Sequence, residues 1–177
     1  LKKALIIIGI IIVVLAAAYY GMRMYTKSSS PEATAVYDKG GLKIQVEYCR
    51  PSKKGRVVFG QLEPYGKVWR TGANEATEIT FTQPVSFGDK PVAAGTYTLF
   101  TIPQPDQWTV ILNSELDQWG AFNYNEAKDV ARIQVPASQT PQVTEMFTID
   151  FVDANNRVDM LLAWDQTKVA IPIGVGK

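Results

Sequence analysis

The chain has 177 residues, 46% of them hydrophobic, with 18 Lys+Arg against 17 Asp+Glu, one Cys and no His. That length suits one domain with a real core, and a net charge of +1 argues against nucleic acid as a partner. Without His there is no Ser-His-Asp triad, Cys-His dyad or His-containing zinc site. With Cys49 alone there is no intrachain disulfide, all-cysteine zinc site or iron–sulfur cluster. Carboxylate or Lys/Arg chemistry remains, or none.

Leu1-Lys2-Lys3 precedes an uncharged run from Ala4 to Met22, centred on the Ile/Val/Leu stretch Ile6–Leu15. As a helix this run is about 28 Å long, close to the hydrocarbon thickness of a bilayer. It has no polar stripe of the kind a surface helix shows, so a membrane segment is expected. Tyr19, Tyr20 and Tyr25 form an aromatic belt, and Arg23 and Lys27 mark the far interface. The apolar run is longer than a signal-peptide core and favours a retained anchor. Ala16-Ala17-Ala18 leaves secretion after signal cleavage as the alternative. Residues 1–27 are thus read as anchor or signal, 28–35 as a flexible linker from Lys27-Ser28-Ser29-Ser30-Pro31, and 36–177 as the folded domain.

Residues 31–177 carry fourteen basic and seventeen acidic side chains, net −3, with a basic cluster from Arg50 to Arg70. That cluster is either a positive patch or a solvated hairpin.

The domain reads as strands. Leu42, Ile44, Val46 and Tyr48 alternate with polar residues, the period of a half-buried strand. Similar runs occupy 56–60, 77–82, 96–102, 108–113, 129–135, 144–152, 158–164 and 168–173, rich in β-branched and aromatic residues. Turns are expected at Lys39-Gly40-Gly41, Gly88-Asp89-Lys90, 103–106 and 153–156, and one short helix within 123–128. The expected fold is all-β: an antiparallel β-sandwich, jelly-roll-like, preceded by a single N-terminal transmembrane helix.

The segment Gln61–Thr77 concentrates polar chemistry. Arg70, Thr71, Asn74, Glu75 and Thr77 offer a guanidinium, hydroxyls, an amide and a carboxylate within eight residues. A loop on a rigid sandwich is where binding groups usually sit.

Arg50-Pro51-Ser52, Lys54-Gly55-Arg56, Phe59-Gly60 and the run PYGKVWRTGANEAT from Pro64 to Thr77 resemble a bacterial family known as domain of unknown function 2911. Ala93–Pro103, Trp108–Asn113, Trp119-Gly120, Tyr124 and Asp129–Arg132 fit the same pattern. The resemblance implies an exported, mostly-β domain behind a targeting segment, mainly in Bacteroidetes-type bacteria, and no established reaction. The retained-anchor reading departs from that pattern and leaves periplasmic release open.

Several groups have both a functional and a structural reading. Arg70 with Arg50 forms an anion clamp, or Arg70 pairs internally with Glu75 or Asp129. Glu75, with Glu78, Asp117 or Asp129, is a candidate acid/base pair, or its neighbours are ordinary surface acids. Trp69, Trp108, Trp119, Trp164, Tyr65, Tyr97 and Tyr124 form a stacking platform or, in the main, core, with Trp119 the expected exception. Asp153-Ala154-Asn155-Asn156 reads as a turn rather than a calcium loop, and nothing marks Cys49 as reactive.

The expectation is a membrane-tethered extracytoplasmic module with ligand-binding residues Arg50, Arg70, Thr71, Asn74, Glu75 and Tyr97. Its ligand would be small and anionic, or a glycan. The alternative is a carboxylate-dependent hydrolase of glycan or cell-envelope material acting through Glu75. No cofactor, no metal and no nucleic acid are expected. The expected location is the inner membrane, single-pass, with the domain facing the periplasm.

Overall fold

A computed structural model describes residues 2–155 and 157–175. Helix α1 (Lys2–Ser29) is long and apolar enough to cross a membrane, and none of its residues is buried against the domain. Strand β1 (Glu32–Lys39) follows after Ser30 and Pro31, so the stretch expected as a tether is largely helix and strand. Its inward residues Ala33, Ala35 and Tyr37 alternate as a strand requires, but the two alanines carry little hydrophobic signal.

The remaining strands are β2 (Leu42–Cys49), β3 (Thr77–Phe81), β4 (Val85–Phe87), β5 (Lys90–Val92), β6 (Gly95–Ile102), β7 (Gln107–Asn113), β8 (Asp129–Ala154) and β9 (Arg157–Val175). Every pairing is antiparallel, in the order β1-β2-β3-β6-β7-β8-β9-β4-β5. The architecture is sandwich-like, with one open sheet folded over a shared core. Strand β8 makes the fold: Asp129–Pro136 pair with β7, and from Ala137 onward it pairs with β9. The runs expected at 129–135 and 144–152 are therefore one bent strand, with register shifts between Gln139 and Thr148. The short helix is a 3-10 turn at Glu126–Lys128, capped by Asn125. Asn156, in the expected turn 153–156, lies outside the described residues.

Segment 56–60 forms no strand. Gly55 and Gly60 adopt left-handed backbone at its two ends, leaving too few residues to pair. It instead inserts Phe59 into the middle of the core. The Phe59 ring meets Trp69, Trp108 and Trp164 edge-on, with centroids 5.8, 4.7 and 6.1 Å away. Phe147 packs against Trp69 at 5.1 Å from the facing strand. Three of the four tryptophans are thus core.

Strands β6 and β7 are buried on both faces. Their outer face carries Phe100 and Ile111, which with Ala76 form a second small core under Val68, Ala121 and Tyr124. The connection from β7 to β8 therefore lies flat on the sheet. Tyr124 donates to Asp129 Oδ2 at 2.6 Å, and Arg132 reaches both groups. Burial, then the bond to Asp129, pushes the Tyr124 phenol up to about 12. Buried Asn113 ties down the loop's base, donating to Asn125 O and Asp129 Oδ1, both at 2.9 Å.

Candidate functional site

The polar segment Arg70–Thr77 folds as a tight reverse loop. Trp69 and Thr101 exchange backbone hydrogen bonds at 2.7 and 2.9 Å, and the Trp69 indole donates to Gly72 O at 3.0 Å. A Cβ at Gly72 would lie 3.0 Å from Cys49 O and 3.1 Å from Thr77 Oγ1, so glycine is required by close packing. Thr71 and Asn74 take left-handed backbone. The Thr71 side chain is fully buried against Thr101 Oγ1, 3.1 Å away, and faces the interior rather than a ligand.

This loop holds the next one. Ala76 N donates to Gln118 O at 2.8 Å, Gly120 N donates to Asn74 O at 3.0 Å, and Glu75 and Trp119 form an antiparallel bridge between them. The bridge brings the Glu75 carboxylate and the Trp119 indole to one shared cleft.

Glu75 projects into a cleft of about 690 Å³ between the C-terminal turns of α1 and the outer face of β1–β3. Tyr19, Arg23 and Lys27 form the helix wall, at the four-residue spacing that places them on one face. Arg23 donates to Glu75 Oε1 at 2.9 Å, and Lys27 lies 3.2 Å from the same oxygen while also pairing with Glu32. Burial pushes the Glu75 carboxyl up. Hydrogen bonds from its own backbone amide, Lys27 and Arg23 outweigh that and hold it below the usual carboxylate range. An ionised Glu75 clasped by two cations is a poor proton donor at neutral pH.

The sheet wall is acidic. Glu47 and Glu78 stand directly opposite each other on β2 and β3, and both line the cleft. Like charges in that position repel. Neither has a basic partner among the described residues: Glu47 accepts from Gln45 Nε2 at 3.0 Å, and Glu78 from the Asp117 amide at 2.9 Å. Asp117 and Trp119 complete that side.

The other expected residues lie elsewhere. Arg50 donates to Phe147 O at 3.1 Å and Thr148 Oγ1 at 2.8 Å, fastening β2 to β8. Tyr97 packs on Phe81 and donates to Ala93 O at 3.0 Å, away from the loop. Asn74 donates to Ser30 O at 3.4 Å. Arg70 pairs with neither Glu75 nor Asp129; its Nε is buried without a partner among the described residues, and its guanidinium lies under Gly120. Arg50 and Arg70 therefore form no clamp. Within the basic cluster, Lys53 pairs with Asp165 and Arg56 donates to the Ser52 and Lys53 carbonyls.

Sequence reasoning missed the helix wall and Glu47. Tyr19, Arg23 and Lys27 were legible as one helix face but looked like interface markers. Glu47 was legible as an outward strand position, but its opposition to Glu78 depends on a register that only the folded sheet supplies. Comparison with curated proteins and with solved structures finds no match to this chain. A family match spans residues 30–173, from the end of α1 across nearly all of the sheet, and the chain accordingly belongs to DUF2911, a family of proteins of unknown function.

Proposed function

We propose that the protein is a membrane-tethered binding module of the bacterial envelope, with its domain in the periplasm, whose cleft takes a ligand bearing an amine beside hydroxyl groups. The opposed Glu47–Glu78 pair carries the reading. Two carboxylates set opposite each other on adjacent strands, with no basic partner among the described residues, offer a ready site for an ammonium group. Trp119 on the rim supplies an aromatic face for a sugar ring or the cation itself. An anionic ligand fits the cleft less well, because Arg23 and Lys27 are already engaged by Glu75 and Glu32.

The test is a titration of the full chain in detergent with spermidine, glucosamine and N-acetylglucosamine, followed by NMR or calorimetry. The amine probes bind, N-acetylglucosamine binds more weakly, and Glu47→Gln with Glu78→Gln weakens amine binding about tenfold or more. Equal behaviour of glucosamine and its acetylated form, or unchanged binding by the double variant, overturns the reading.

A further inference from the structure

Three apolar side chains are exposed on the connection from β7 to β8: Leu116, Trp119 and Phe122, the last 83% accessible. A soluble surface tolerates single exposed apolar residues, but three within seven positions on one loop need a partner. This loop is not a mobile excursion. Its base is clamped by Asn113, Tyr124 packs it onto the sheet, and the Arg70–Thr77 segment fixes its middle through Gln118 and Gly120. A methyl group at Gly120, where φ is +70°, would come within 2.8 Å of the Phe122 ring. Glycine there lets the ring fold back over the loop while its outer face stays in solvent. The fold holds these side chains outward.

Their position identifies the partner. Trp119 lines the same cleft as Tyr19, and Tyr19 belongs to the apolar Ala4–Met22 run of α1. The loop therefore stands beside the part of the helix that enters the membrane, at the depth where tyrosine and tryptophan gather in membrane proteins. We infer that the Leu116–Phe122 loop is a second membrane contact, with Trp119 and Phe122 seated in the headgroup region of the bilayer that α1 crosses. This rests on the tethered reading above. It adds that the domain lies down on the membrane, so the mouth of the acidic cleft opens at the lipid surface rather than into bulk solvent. Glu115 and Asp117 flank the apolar residues, so the contact depends on apolar burial rather than attraction to anionic lipid, and it resists salt.

The tryptophans supply the experiment. Trp69, Trp108 and Trp164 are buried in the core, while Trp119 is 47% exposed. The full chain is reconstituted in nanodiscs of phosphatidylethanolamine and phosphatidylglycerol, with and without brominated acyl chains. Brominated lipid quenches a component of the emission that Trp119→Phe lacks, and aqueous iodide reaches Trp119 less readily in nanodiscs than in detergent. Phe122→Ser reduces the lipid quenching of Trp119 without changing thermal stability. Emission indifferent to bromine, with Trp119 fully open to iodide in the nanodisc, overturns the inference. Alkaline carbonate extraction reports the tether by itself: a chain that is extracted sinks both readings, and a retained chain with unquenched Trp119 sinks only the loop contact.

Discussion

The Arg23 guanidinium donates to Glu75 Oε1 at 2.9 Å, joining the end of the apolar helix to a loop 52 residues away in sequence. With Lys27 on the same oxygen, this pair fixes how the helix leaves the domain. Because the carboxyl is held below its ordinary range, the latch persists through neutral and mildly acid pH and opens only as pH falls through that lowered value. Glu75→Gln opens it at every pH. Spin labels on Met24 and Lys128 then give a broadened distance distribution, and high salt loosens the wild-type latch in the same direction.

Glu63 titrates in the opposite sense. Burial, partly offset by Arg70 and Arg56, raises its carboxyl to about 7. Below about pH 4.5 the acid is neutral in both folded and unfolded chains. Between there and pH 7 only the unfolded chain ionises, so folding stability falls as pH rises, and it levels off above. Glu63→Gln removes this slope. The variant matches the wild type at pH 4 and exceeds it by up to about 3 kcal/mol at pH 8, measured by urea denaturation across the range.

Two core tryptophans differ in one hydrogen bond. The Trp69 indole donates to Gly72 O at 3.0 Å, while the Trp108 indole nitrogen is buried with no partner among the described residues. Trp108→Phe deletes a donor that was already unsatisfied, whereas Trp69→Phe strands a carbonyl in the loop. The first variant is therefore more stable than the second by about 1 kcal/mol in chemical denaturation.

Cys49 is buried, and its thiol points at Glu75 Oε2, 3.9 Å away. Burial pushes the thiol up, and the nearby carboxylates Glu75 and Glu32 add to that, so little thiolate forms near neutral pH. A maleimide reagent at pH 7.5 labels the unfolded chain at once and the native chain only at the rate of unfolding. Rapid labelling of the native chain contradicts this placement.

The alternation at Leu42–Tyr48 and the aromatic runs at 96–102 and 108–113 made the β class readable, because each period places one face in the core. Strand β1 leaves little trace in the sequence because alanines at 33 and 35 bury little area, and β8 reads as two strands because Pro136 and Pro141 imitate breaks. For the site, the density of polar groups at Arg70–Glu75 singles out one segment from the sequence alone. Within it Thr71 faces inward, Arg70 lies beneath the neighbouring loop, and only Glu75 reaches the cleft. A spacing pattern gives each residue's face, whereas partners such as Arg23 and Glu47 depend on long-range register.

Strand β8 has a mechanical consequence. One unbroken backbone bonds to β7 along its first stretch and to β9 along the rest, so the two ladders are joined through a single strand. Amide protons in β7 and in β9 are therefore expected to share a single opening event, and the domain to meet a pull on its N-terminal apolar helix as one unit rather than as two halves that yield in turn.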